Sequence, residues 1–123
     1  MAKLYFRYAA MNAGKTTSLL QIEHNYLSLQ RKVLLLTSSV DDRFGEGKIT
    51  SRLGVSRPAE TYTKTTDMLD RVRRFAEEAK DAIGAVLIDE AQFLTKEQVC
   101  QLHRAVHQFG VPVLCFGLRS DFR

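Results

Sequence analysis

Two stretches of this sequence carry residue types at spacings that chemistry can use. The first is Ala9-Ala10-Met11-Asn12-Ala13-Gly14-Lys15-Thr16. It follows the phosphate-loop pattern G-x-x-x-x-G-K-[ST], with Ala9 in place of the first glycine. Consecutive backbone N–H groups must curl around phosphate oxygens, so the side chains beside them must be small. Gly14 lets the backbone approach closely. Lys15 offers a compact cation to the outer phosphates. The Thr16 hydroxyl can ligate Mg²⁺, and a helix starting here would aim its positive end at the anion. The plainer alternative is a chance small-residue turn. A strand pattern before the turn and a helical pattern after it favour phosphate binding.

The second stretch is Val86-Leu87-Ile88-Asp89-Glu90, an apolar run closing in two carboxylates, continued by Ala91-Gln92-Phe93. Beside a phosphate loop, an acid at the end of such a strand holds Mg²⁺ and its neighbour can act as a base. Alone, the pair would read as a helix cap or a solvated strand end. Asp41-Asp42-Arg43 opens a long polar segment, and Gly117-Leu118-Arg119-Ser120-Asp121-Phe122 closes the chain. In a doubly wound sheet, loops at the carboxyl ends of the strands line the ligand crevice. Asp41 can there join a metal shell and Arg43 can neutralise phosphate charge, although charged loops are common for other reasons.

The elements that would hold these residues alternate. A strand over 3–8 runs into the small-residue turn. A helix over 16–30 has Leu19, Ile22, Tyr26 and Leu29 on one stripe. Residues 32–38 contain Val33-Leu34-Leu35-Leu36, the signature of a strand buried on both faces. Residues 39–58 read as a long polar loop with Gly45, Gly47 and Gly54, a length that usually marks function. A short strand is expected near 60–63. A helix over 66–80 lines up Met68, Val72, Phe75, Ala76 and Ala79. Residues 85–89 form the acidic strand. Thr95, with Gln98 three residues on, opens a further helix through a capping box. Val99, Leu102, Val106 and Phe109 supply its buried face, and Gly110 ends it. A last strand covers 111–117, with Pro112 at its start. The expectation is one α/β domain over 1–123: a mostly parallel sheet with helices on both faces.

Composition narrows the function classes. The chain has 123 residues, 45% hydrophobic and 26% charged, which excludes disorder and leaves room for a core. No apolar run approaches a membrane span, and the N-terminal residues do not read as a secretory signal. Cys100 and Cys115 cannot make a disulfide framework or a four-ligand zinc site, so a reduced, cytoplasmic setting is expected. The net charge of +4 suits a protein that handles phosphates. No basic stripe interleaved with aromatics suggests nucleic-acid binding. Arg71, Arg73 and Arg74 sit at helical spacings from Asp70, Glu77 and Glu78, which reads as an ion-paired helix face. His103 and His107, four apart, read as solvated.

Taken together, the motifs resemble the bacterial branch of the type II thymidine kinases, a zinc-bearing family related to RecA-like nucleotide binders. The resemblance spans essentially the whole chain. It is carried by Leu4-Tyr5-Phe6, Met11-Asn12-Ala13-Gly14-Lys15-Thr16-Thr17, Asp41-Asp42-Arg43-Phe44-Gly45, Ile88-Asp89-Glu90-Ala91-Gln92-Phe93-Leu94 and the run from Pro112 to Arg123. It implies a RecA-like P-loop core that moves the γ-phosphoryl of ATP to the 5′-hydroxyl of thymidine. It implies that Glu90 is the catalytic base. ATP would be bound by Ala9, Ala10, Met11, Asn12, Ala13, Gly14, Lys15, Thr16, Thr17, Arg43, Asp89, Glu90, Ala91 and Gln92. Mg²⁺ would be held by Thr16, Asp89 and Asp41, and the thymine walls would be Met11, Phe93, Leu118 and Phe122. Zinc, a lasso loop over thymidine and a homo-tetramer belong to the family pattern. The sequence given carries no zinc ligands, so the expectation is an ATP-binding core without the zinc and lasso lobe, binding ATP–Mg²⁺ but phosphorylating thymidine poorly by itself. Two other readings stay open from the residues: a catalytically inactive nucleotide-binding fragment, and another RecA-like NTPase, since Asp89-Glu90-Ala91-Gln92 also looks like a helicase acidic box.

Overall fold

A computed structural model of the chain describes residues 3–9, 15–39, 48–50 and 56–118; of Tyr8, Ala9, Lys15, Thr16, Lys48, Thr50 and Leu118 it describes the backbone alone. The elements run β1 (Leu4–Ala9), α1 (Lys15–Ser28), β2 (Lys32–Ser38), β3 (Lys48–Thr50), β4 (Ser56–Pro58), β5 (Glu60–Tyr62), α2 (Met68–Ala79), β6 (Ile83–Ile88), α3 (Lys96–Phe109) and β7 (Val113–Leu118). Five strands form one sheet in the order β1-β7-β6-β2-β5, and every pairing in it is parallel.

Alternation along the strands builds two cores. Leu34, Leu36, Val86, Ile88, Val113 and Cys115 face α2 and α3, packing on Met68, Val72, Phe75, Leu102 and Val106. The residues between them, Leu35, Ala85, Leu87 and Phe116, face α1 through Leu19 and Leu20, together with Ile49 of β3. A strand buried on both faces must be apolar at every position, which is why β2 and β6 read as continuous runs. The sheet is therefore sandwiched between helices, as the sequence led one to expect.

The register shifts by one residue between Lys32 and Val33 opposite Gly84. A Cβ on Gly84 would lie 2.6 Å from the Lys32 carbonyl oxygen and 3.0 Å from the Tyr26 ring, so only glycine fits this approach. Asp67 caps α2, accepting from the Asp70 N–H at 3.1 Å. The capping box of α3 forms as read: the Gln98 N–H donates to Thr95 Oγ1 and the Thr95 N–H to Gln98 Oε1, both at 3.0 Å. Gly110 closes the helix with φ +67°.

Three expectations need correction. Residues 39–58 are not simply loop, because β3 and β4 pair antiparallel within them. Leu29 is not on the buried stripe of α1; the helix ends at Ser28, Gln30 takes φ 62°, and Leu29 is 72% exposed. Earlier on the helix sits a buried charge: Glu23, 6% exposed, accepts from Arg57 Nε at 3.1 Å and from a terminal nitrogen at 3.3 Å, tying the β3–β4 pair to α1. Arg71 leaves its own helix face and pairs with Glu60 on β5, holding the Glu60 carboxyl below the usual carboxylate range. Arg73 and Arg74 do pair along α2, with Asp70 and Glu77.

Candidate active site

In a parallel sheet all strands deliver their carboxyl ends to one edge. The register aligns Leu36, Ile88, Cys115 and Glu60, and the strands run on from there to Ser38, Asp89, Leu118 and Tyr62. Ala9, the last residue of β1, pairs with Leu118 at the same edge. The two chemical stretches thus leave the sheet at the same edge, β1 toward the small-residue segment and β6 into the acidic pair, with β7 between them.

The loop residues Ala10, Met11, Asn12, Ala13 and Gly14 lie outside the described residues, as do Asp41, Arg43 and Phe122. What is described frames them. α1 begins at Lys15, one residue earlier than the sequence pattern suggested, so Lys15 and Thr16 occupy its first turn. Helix-start N–H groups have no partner within the helix, and they suit an anion at this point. Thr17 follows on the exposed side of that turn.

The acidic turn is built tightly. Asp89 is 5% exposed, and its N–H donates to the Leu36 carbonyl at 2.7 Å, continuing the sheet ladder by one residue. Its Oδ1 accepts from the Glu90 N–H at 2.9 Å. Glu90 then takes φ 57°, ψ 43°, in the left-handed region that a non-glycine residue enters only when its surroundings compel it. The compulsion is visible. The buried Tyr62 hydroxyl reaches the Glu90 carbonyl at 2.8 Å and the Asp89 carbonyl at 3.2 Å. The Glu90 carbonyl also accepts from the Phe93 N–H at 3.0 Å, closing a single 3-10 turn over Ala91–Phe93. On the side-chain level, Gln92 Nε2 donates to Glu90 Oε1 at 2.7 Å.

Downstream, Gln98 fastens the far end of the turn. It is 1% exposed, and besides the capping box its amide donates to the Thr63 and Thr66 carbonyls at 2.7 and 3.1 Å. The acidic turn is therefore clamped to the end of β5 twice, through Tyr62 and through Gln98. Ala91 is buried and Phe93 half-buried within this frame.

Of the expected site residues, the structure brings Asp89, Glu90, Ala91, Gln92 and Phe93 into one turn and puts Ala9, Lys15, Thr16 and Leu118 on neighbouring element ends by their backbones. Sequence reasoning missed Tyr62. An aromatic at the end of a three-residue strand carries no signal of its role, because its partners lie 27 and 28 residues away. Mg²⁺ prefers hard oxygen donors, often one or two carboxylates with water and phosphate completing the shell. Asp89 at the sheet edge fits that donor set. Among the described residues no three His, Cys, Asp or Glu side chains gather as a metal cage. His103 and His107 touch edge-to-face at 4.7 Å on the exposed side of α3. No helix among the described residues is long and apolar enough to cross a membrane.

The sequence profile of the thymidine kinase family matches residues 2–123. The chain belongs to the thymidine kinase family. Curated relatives agree. Thymidine kinases of Salmonella typhimurium, Escherichia coli K12 and Shigella flexneri are each 50% identical to it over 123 residues. All of this chain is covered in each comparison, and 59% of the relative, so the chain spans well under two-thirds of their length. The all-parallel sheet with β1 leading into a helix at Lys15 is the P-loop arrangement such a family requires.

Proposed function

We propose that residues 1–123 form the P-loop kinase domain of a thymidine kinase, which transfers the γ-phosphoryl of ATP to the 5′-hydroxyl of thymidine. The observation that carries the reading is the acidic turn: a buried Asp89 followed by Glu90 in a left-handed conformation, at the sheet edge where β1 hands over to α1. Relatives named thymidine kinase at 50% identity support the choice of nucleoside.

In this reading Ala9 to Thr17 cradle the triphosphate, with Lys15 on its outer oxygens. Asp89, Thr16 and Asp41 would hold Mg²⁺, which would neutralise phosphate charge. Glu90 accepts the proton of the 5′-hydroxyl as that oxygen forms its bond to the γ-phosphorus, and ADP leaves with the electrons of the broken bond. Arg43 stabilises the charge on the transferring group. Met11, Phe93, Leu118 and Phe122 flank the thymine ring, since a planar base is best held by flat or pliable apolar walls. Phosphoryl transfer asks for positioning more than for covalent chemistry. A rigid turn around Glu90 suits that demand.

Glu90→Gln tests the reading in the full-length protein. The amide keeps the side chain's shape and cannot take the proton. Turnover should fall by about 10²–10⁴-fold with ATP affinity largely kept. Near-normal turnover would overturn the assignment.

A further inference from the structure

The resemblance places Gln92 among the nucleotide ligands; in the structure its Nε2 donates to Glu90 Oε1 at 2.7 Å. The two residues flank Ala91 in the turn, Glu90 just before the 3-10 helix and Gln92 within it. The backbone between them is fixed by the Tyr62 hydroxyl on the Glu90 carbonyl and by the Phe93 N–H on the same oxygen. Gln92 is half-buried, so its donor works where water competes less.

We propose that Gln92 is a positioning residue for the Glu90 carboxylate and acts on the reaction through it rather than by binding nucleotide. A carboxylate on a two-carbon stem has several rotamers, and a base in phosphoryl transfer must meet one hydroxyl at hydrogen-bond distance. The left-handed backbone sets where the Glu90 stem begins. The Gln92 amide sets where it ends. Misplacing a reacting group by about 1 Å can cost on the order of 10²-fold in rate. This inference rests on Glu90 being the base.

The test is steady-state kinetics of the full-length protein with ATP and thymidine. Gln92→Leu keeps the side chain's bulk and removes the donor; Gln92→Asn keeps an amide one carbon shorter. Gln92→Leu should lower kcat about tenfold or more while both KM values stay within about threefold, and Gln92→Asn should recover part of the loss. In the double variant, Gln92→Leu should cost nothing further on a Glu90→Gln background, because the group it positions is gone. A raised KM for ATP with kcat kept would make Gln92 a nucleotide ligand and overturn the proposal. So would losses that multiply in the double variant, or a Gln92→Leu protein at full turnover beside an inactive Glu90→Gln. Full turnover in Glu90→Gln itself overturns the base assignment and this inference with it, so the two failures are told apart.

Discussion

Replacing Gln98 by leucine removes three hydrogen bonds at once and leaves the helix cap half built. The Thr95 N–H loses its acceptor, and the Thr63 and Thr66 carbonyls lose their donor. A polar group stranded in a protein interior costs about 1–3 kcal/mol. Thr63 is exposed and Thr66 and Thr95 half-buried, so water can re-satisfy some of these groups. Leucine also returns some apolar burial at a site only 1% exposed. The net expectation is a loss of about 2–3 kcal/mol. In urea this should appear as a lowered midpoint with an unchanged slope. Heating should show a fall of roughly 6–15 °C, taking about 3–5 °C per kcal/mol at this size. Thr95→Ala is the comparison, since it removes only the hydroxyl cap and should cost about 1 kcal/mol. If Gln98→Leu costs no more than Thr95→Ala, the clamp between β5 and the acidic turn does not exist as described.

Other expectations follow from the same contacts. Tyr62→Phe keeps the ring and removes the hydroxyl from the Asp89 and Glu90 carbonyls; about 1–2 kcal/mol of stability should be lost in urea titration. Arg57→Ala leaves the buried Glu23 carboxylate without its two-pronged partner and should loosen the β3–β4 hairpin, read as faster amide exchange at Ile49. Lys15→Ala should weaken ATP binding by about 1.5–3 kcal/mol in calorimetry, the loss of a charge-assisted contact. Burial pushes the Cys115 thiol up to about 12, whereas Cys100 is exposed. Native protein should therefore take up iodoacetamide at Cys100 and not at Cys115. The folded state keeps the Cys115 proton when the unfolded chain has lost it, so this group's contribution is whole below about pH 9 and declines as pH rises from there toward 12.

Much of the fold was legible because burial on both faces leaves a strong trace. β2 reads off Val33-Leu34-Leu35-Leu36 to its ends, and α3 reads off Thr95, Gln98 and Gly110. What escaped was held by tertiary contacts. β3 and β4 have three residues each, too short for a period, and they are fastened by Ile49 in the core and by Arg57 on Glu23. Leu29 fits the helical spacing but lies past the end of α1, in the turn that Gln30 completes with positive φ. Arg71 has acids at helical spacing on its own helix, yet Glu60 on β5 is the partner it takes. At the site, residue types and order pointed to Asp89 and Glu90. The left-handed turn and its two clamps did not show, because they depend on Tyr62 and Gln98 meeting backbone atoms distant in sequence.

The central claim is best tested by following the phosphate. Full-length protein would be given ATP labelled in its γ-phosphate, Mg²⁺ and thymidine, and the products separated. The account predicts label on the 5′-oxygen of thymidine, abolished in Glu90→Gln while ATP binding persists. Label appearing only as inorganic phosphate, with thymidine untouched, would contradict it and make the acidic turn that of a hydrolysing NTPase.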